Sequence, residues 1–325
     1  MLARHAESMF WMGRYMERAE DTARMLDVTY HGLLESPPEE ATRSWLDLLS
    51  VLNLDQGFAD RHTEVTAAIV SEFLVLDEKN PGAIVSSVGR ARENARSVRE
   101  LISTELWEAV NTFWLELLAR NLRADLEQQP YELYGLVKRR CQTVNGVAAE
   151  TMSRDDGWRF LMLGWMLERT EMTCRLLNVR YGELAGATDL AGFHVLVGAL
   201  KSASASEAYR KVYGAAMDPA RVVEFLLLSR TFPRSVLYCL RQTERDLARL
   251  TAGESLTRPE RILGRIRAEL EFCDVNELLG DGLQSYLDRV QEAVRVASEA
   301  IGQQYFRNLL VDLHPLELRR PGEGS

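Results

Sequence analysis

Apolar residues recur at alternating spacings of three and four along most of this chain, the signature of a helix with one buried face. Near the N-terminus Met9, Met12, Met16, Ala19, Ala23, Leu26, Tyr30 and Leu33 form such a seam, which predicts a helix over 5–34. Similar runs predict helices over 41–54, 62–77, 81–102, 104–127 and 131–150. A second series follows over 156–182, 189–201, 204–215, 219–229, 233–250, 258–276 and 282–306. The breaks between them are short and carry helix-start chemistry: SPPEE from Ser36, NPG from Asn80, MDPA from Met217 and TRP from Thr257. Pro81 and Pro233 are each expected in a first helical turn, which has no use for the missing N–H. The chain end from Arg319, RRPGEGS, reads as a disordered tail.

The two helix series repeat each other. Gly13, Glu17, Arg18, Glu20, Thr22, Arg24, Leu26, Val28 and Tyr30 recur in register as Gly164, Glu168, Arg169, Glu171, Thr173, Arg175, Leu177, Val179 and Tyr181. Further on, FLVLDEKNPGAIVSSV from Phe73 is answered by FLLLSRTFPRSVLYCL from Phe225, so Pro81 pairs with Pro233. The expected fold is therefore all-α: an internally duplicated multi-helix bundle whose two similar units, 1–150 and 151–316, pack about a pseudo-twofold axis, followed by a tail over 317–325.

The second copy of the repeated helix keeps the seam with Phe160, Leu163, Leu167, Thr170, Cys174, Leu177 and Tyr181. It places Trp165 and Met172 where the first copy has Arg14 and Asp21, and is expected to be buried on both sides. Glu168 and Arg169 then need partners, because buried charges persist only when paired and hydrogen-bonded. Glu20 with Arg24, and Glu171 with Arg175, have the favourable i,i+4 order, worth about 0.2–0.5 kcal/mol if exposed. Three readings of Glu17/Arg18 and Glu168/Arg169 stay open: a structural ion-pair cluster joining the units, a pocket in which glutamates receive an amine or metal and arginines grip a carboxylate, or a solvated face. The candidates for binding a ligand or partner are Glu17, Arg18, Glu20, Arg24, Glu168, Arg169, Glu171 and Arg175.

Composition narrows the chemistry. With 325 residues, 46% of them hydrophobic, the chain can bury a large core without disulfides or metal, and a net charge of −9 argues against a phosphate-binding surface and nucleic acid. Cys141, Cys174, Cys239 and Cys273 are scattered and read as small core residues. The N-terminus carries charges throughout, and no stretch of about 18 uncharged apolar residues occurs, so a cytoplasmic location is expected. No GxGxxG, Walker-A, GxSxG or HExxH pattern is present, and no histidine has a glutamate three residues before it. His62 and His314 read as solvated loop residues, and neither a metal nor a cofactor is assigned. The aromatics Trp107, Phe113, Trp114, Trp158 and Trp165 read as packing residues rather than a stacking site.

MFWMGRYMERAEDTARMLDV and its copy LMLGWMLERTEMTCRLLNV, with STELWEAVN at 103–111, RDDGWRF at 154–160 and GQQYF at 302–306, resemble the bacterial alpha-E family. The likeness runs from Met1 to about Leu316. It implies association with a circularly permuted ATP-grasp protein and with transglutaminase-like proteins, in systems that make or modify peptides through amide bonds. On that resemblance the expected role is a non-catalytic binding or scaffold subunit beside an ATP-grasp amide ligase. Two rivals stand next to it. One is an enzyme at the junction of the units, with Glu17 or Glu168 as general base and Arg18 or Arg169 as carboxylate clamp. The other is a structural protein that forms homo-oligomers through its helical seams.

Overall fold

The computed structural model describes residues 1–34, 38–185, 190–251, 255–275, 278–279 and 282–306, and every regular element among them is helical. In chain order the helices are α1 (Ala3–Leu34), α2 (Pro38–Val51), α3 (Asp55–Ala59), α4 (Ala67–Val75), α5 (Ile84–Ser97), α6 (Thr104–Ala119), α7 (Leu122–Gln128) and α8 (Pro130–Thr151). They continue as α9 (Asp156–Ala185), α10 (Leu190–Ser202), α11 (Ser206–Tyr213), α12 (Pro219–Leu228), α13 (Val236–Leu250), α14 (Arg258–Glu271) and α15 (Leu283–Tyr305). The expected tail over 317–325, and everything after Phe306, lies outside the described residues.

The two longest helices, α1 and α9, make the most extensive contact among the described residues. Around them the neighbours match. Helix α1 packs on α5 and α8, which α6 bridges; α9 packs on α13 and α15, which α14 bridges; α2 and α10 each touch both central helices. The apolar seams meet in one continuous core running from Ala6 to Ile301.

Glycine explains how closely the central helices cross. A Cβ on Gly13 would stand 2.3 Å from the carbonyl oxygen of Leu161, and one on Gly164 would stand 2.1 Å from that of Phe10. Both are closer than any real Cβ contact, so each central helix supplies the hydrogen-only position that lets the other helix's backbone in.

The loops depart from the expected boundaries for identifiable reasons. Pro81 and Pro233 lie just before their helices rather than inside them. Ala83 N–H donates to the carbonyl of Asn80 and Ser235 N–H to that of Phe232, which puts each proline at the second position of a four-residue turn, where its fixed φ fits. The helix expected over 104–127 breaks at Arg120, whose backbone is extended, and restarts when the Asn121 side chain accepts from Ala124 N–H. The stretch 62–77 is helical only from Ala67, capped by Thr66. The expected starts at MDPA and TRP hold: Asp218 caps α12, and Thr257 with Glu260 forms a capping box on α14, with Pro219 and Pro259 in the first turn.

Candidate functional site

The Gly-x-x-x-Glu-Arg segments of α1 and α9 face each other. Because the helices touch at Gly13 and Gly164, the residues one turn further on reach across the crossing. Arg18 donates to Glu168 through Nε (2.7 Å) and Nη2 (3.1 Å), and Arg169 Nε donates to Glu17 at 2.8 Å. The two Glu-Arg pairs thus exchange partners between helices. Each glutamate also receives a second arginine: Arg14 Nε on Glu168 at 2.6 Å, and Arg234 Nη1 on Glu17 at 2.5 Å. Arg14 stands where the second copy has Trp165, and Arg234 where the first copy's turn has Gly82.

The remaining candidates join the same network. Arg14 reaches Glu171 at 2.8 Å, and Arg175 donates to the carbonyl of Val51 while lying 3.6 Å from Glu171. On the other side Arg24 meets Glu20 and Asp21, both at 3.0 Å, and Arg234 meets the same two acids at 2.9 Å. Both central helices are therefore buried on both faces, not only α9: Arg14, Glu20, Asp21 and Arg24 are as buried as Trp165 and Met172. The Glu20–Arg24 pair is internal and not the exposed i,i+4 pair its spacing allows.

Glu17 is 0% exposed and Glu168 1%. Burial alone would raise both carboxyls. Arg169 and Arg234 outweigh it for Glu17, holding it at about 2, and Arg18 and Arg14 hold Glu168 well below the usual carboxylate range. Asp21 goes the other way. Burial and the adjacent Glu17 charge push it up to about 7, against the pull of Arg24 and Arg234. Glu17 Oε2, Glu20 Oε2, Asp21 Oδ2 and Arg24 Nε and Nη1 are buried without a hydrogen-bond partner among the described residues.

Two openings adjoin the network. A narrow cleft beside Asp21, Arg169, Thr173, Ser202 and Arg234 has room for about one water molecule. On the far side of α1 lies an open groove of about 460 Å³ between Tyr15 of α1, Trp114 of α6 and the Ser86–Asn94 face of α5. Arg18, 25% exposed, links the two regions, since its guanidinium carbon lies 5.7 Å from the Tyr15 ring centre.

The other sequence candidates contribute little chemistry. Phe113 and Trp165 are buried, whereas Trp107, Trp114 and Trp158 are half-buried. Burial pushes the Cys239 thiol up to about 12 and also raises those of Cys141 and Cys174, which keeps them unreactive. His62 packs on Phe58 and Phe73, and His314 lies outside the described residues. Among the described residues no group of His, Cys, Asp and Glu is placed to hold a metal, and no helix is long and apolar enough to cross a membrane. Sequence reasoning missed Arg14, Asp21 and Arg234 in the network and Tyr15 and Arg90 in the groove. Only the forced burial opposite Trp165 and Met172 hinted at the first two.

A helical bundle knit at its centre by reciprocal Glu-Arg pairs is the class of protein this geometry defines. The chain belongs to the Alpha-E family, described as a predicted alpha-helical domain with a conserved ER motif, whose match spans residues 1–306. It is similar to an uncharacterised protein of Mycobacterium bovis and to one of Mycobacterium tuberculosis, each 27% identical over 304 residues, covering 86% of this chain and 34% of the relative. The chain thus spans about a third of the length of these curated relatives. No solved structure matches it.

Proposed function

We propose that this chain is a non-catalytic binding and scaffold subunit of an ATP-grasp amide-ligase system for peptide synthesis or modification. The observation that carries this reading is that the Glu-Arg junction is spent internally. Each central glutamate is held by two arginines, and the adjoining cleft is too small for a substrate. A general base works best with a pKa near the working pH, and Glu17 at about 2 is far from it. Glu17 and Glu168 are thus lost as general bases, and the cleft beside Asp21, the one carboxyl there raised to about 7, admits no substrate, while the open groove beside α1 suits binding. The ligase and the transglutaminase-like partner come from family resemblance, and an ATP-dependent partner keeps the chain in the cytoplasm.

In this reading the two units, 1–150 and 151–316, are a duplication packed about a pseudo-twofold axis, and the Glu-Arg pairs are its joint. Matched helix neighbours, the repeated proline turn and the exchanged ion pairs support it.

The test mixes the purified chain with the ATP-grasp protein encoded beside it and measures complex formation by light scattering and ATP turnover with an amino-acid pool. A complex that speeds turnover is expected. ATP or peptide hydrolysis by the chain alone, abolished in Glu17→Gln, would overturn the non-catalytic role, and the lack of any complex would overturn the scaffold role.

A further inference from the structure

The groove along α5 has a charge pattern that selects a ligand. Two half-buried aromatic side chains, Tyr15 and Trp114, form its walls, and Gly89 lies at the base, where an added Cβ would come within 3.0 Å of the Trp114 ring. Three ionisable groups besides Tyr15 line it: Glu78, Arg90 and Glu93. Glu93 is already held by Arg92 at 2.5 Å and Arg96 at 2.6 Å. Arg90 lies over the Tyr15 ring at 5.7 Å and has no carboxylate partner among the described residues, and Glu78 likewise has no cation. The groove therefore offers one unspent cation, one unspent anion and an aromatic channel, with the Asn94 Oδ1 as a further acceptor.

That balance argues against a nucleotide. Several phosphates would meet two carboxylates and one arginine in a protein of net charge −9. A zwitterion with an apolar body satisfies all of it. We propose that the groove between α1, α5 and α6 binds a short peptide or amino acid with free termini, its carboxylate on Arg90, its ammonium on Glu78 and its side chain between Tyr15 and Trp114. Guanidinium gives the carboxylate a planar, two-toothed partner, and the aromatic faces supply area at low entropic cost. This rests on the reading of the chain as a binding subunit and specifies what it holds, independently of which ligase it serves.

The experiment titrates the full-length chain, without any ligase, with the dipeptide Leu-Phe, its C-terminal amide, its N-acetyl form and ATP, by calorimetry. Free Leu-Phe is expected to bind, and each blocked form to bind about two- to fivefold more weakly, the usual size of a lost ion pair between exposed groups. Arg90→Gln should weaken the free peptide by the same factor and abolish the penalty for amidation, while Glu78→Gln abolishes the penalty for acetylation. Both positions are exposed, so these variants should melt like wild type. No binding of Leu-Phe, equal affinity for all three peptides, or Arg90-dependent binding of ATP in their place would overturn the assignment. Peptide binding without a ligase complex would sink the scaffold role alone, and a stimulating complex without peptide binding would sink only this site.

Discussion

Glu168 accepts three N–H bonds from two arginines of the opposite helix while buried from solvent. Its charge and theirs compensate only as a group, because removing one partner from a buried pair leaves the other desolvated. Glu168→Gln is therefore expected to destabilise the protein by about 3–5 kcal/mol in urea titrations. Arg18→Gln should cost less, since Arg14 still covers Glu168 and Arg18 is partly exposed. Equal, negligible losses for both would mean that water reaches the pair. The neighbouring Asp21 makes a different prediction. Its folded pKa of about 7 exceeds the unfolded value of about 3.9, so the native state takes up the proton first, and stability falls as pH rises from 4 through 7. Glu17, held at about 2, has the opposite sign: its contribution is present above about pH 4 and is lost as pH falls through 2. Asp246, raised to about 6, adds to the Asp21 trend. Asp21→Asn should accordingly reduce the loss of urea midpoint between pH 5 and 8 while leaving the acid collapse below pH 4 in place. An unchanged slope between pH 5 and 8 would show that Asp21 is ionised throughout.

At the scale of helices, the crossing of α1 and α9 depends on Gly13 and Gly164. Alanine at either position puts a methyl within 2.3 Å of a carbonyl oxygen of the other helix, so the helices must separate and the ion pairs beyond the crossing lengthen. Gly146, inside α8 with nothing within 4 Å of its would-be Cβ, is the control: alanine there should stabilise by about 0.5–1 kcal/mol through helix propensity. Gly13→Ala and Gly164→Ala should instead lower the melting temperature by more than Gly146→Ala raises it. Matching gains at all three positions would show that the helices do not touch there. The apolar seams, the caps at Asp218 and Thr257 and the family motif were legible in the sequence because each is written in neighbouring residues. The polar side of α1 was not. Arg14, Glu20, Asp21 and Arg24 have the spacing of a solvated face, and their burial depends on what packs there, including Arg234 from a turn whose counterpart is Gly82. The groove was equally hidden, since Tyr15, Arg90 and Trp114 come from three helices, and Trp114 at helical spacing is indistinguishable from core.

For the whole molecule, the exchanged pairs raise the question of whether one half can replace the other. If α9 is a structural copy of α1, residues 1–152 alone expose the side of α1 that carries Gly13, Glu17 and Arg18, and a second copy of the fragment can occupy the place of α9. In such a dimer Arg18 of each copy would meet Glu17 of the other, and Arg14, which holds Glu168 and Glu171 in the full chain, would find Glu17 and Glu20 at the corresponding positions. Charge then balances without Arg234, because Arg14, Arg18 and Arg24 face Glu17, Glu20 and Asp21 in each copy. The fragment is therefore expected to be a helical dimer by light scattering, and Gly13→Ala, which blocks the crossing twice over in a symmetric pair, should dissociate it. A folded monomer, or a dimer indifferent to Gly13→Ala, would mean that the two halves are alike in sequence but do not share one mode of packing.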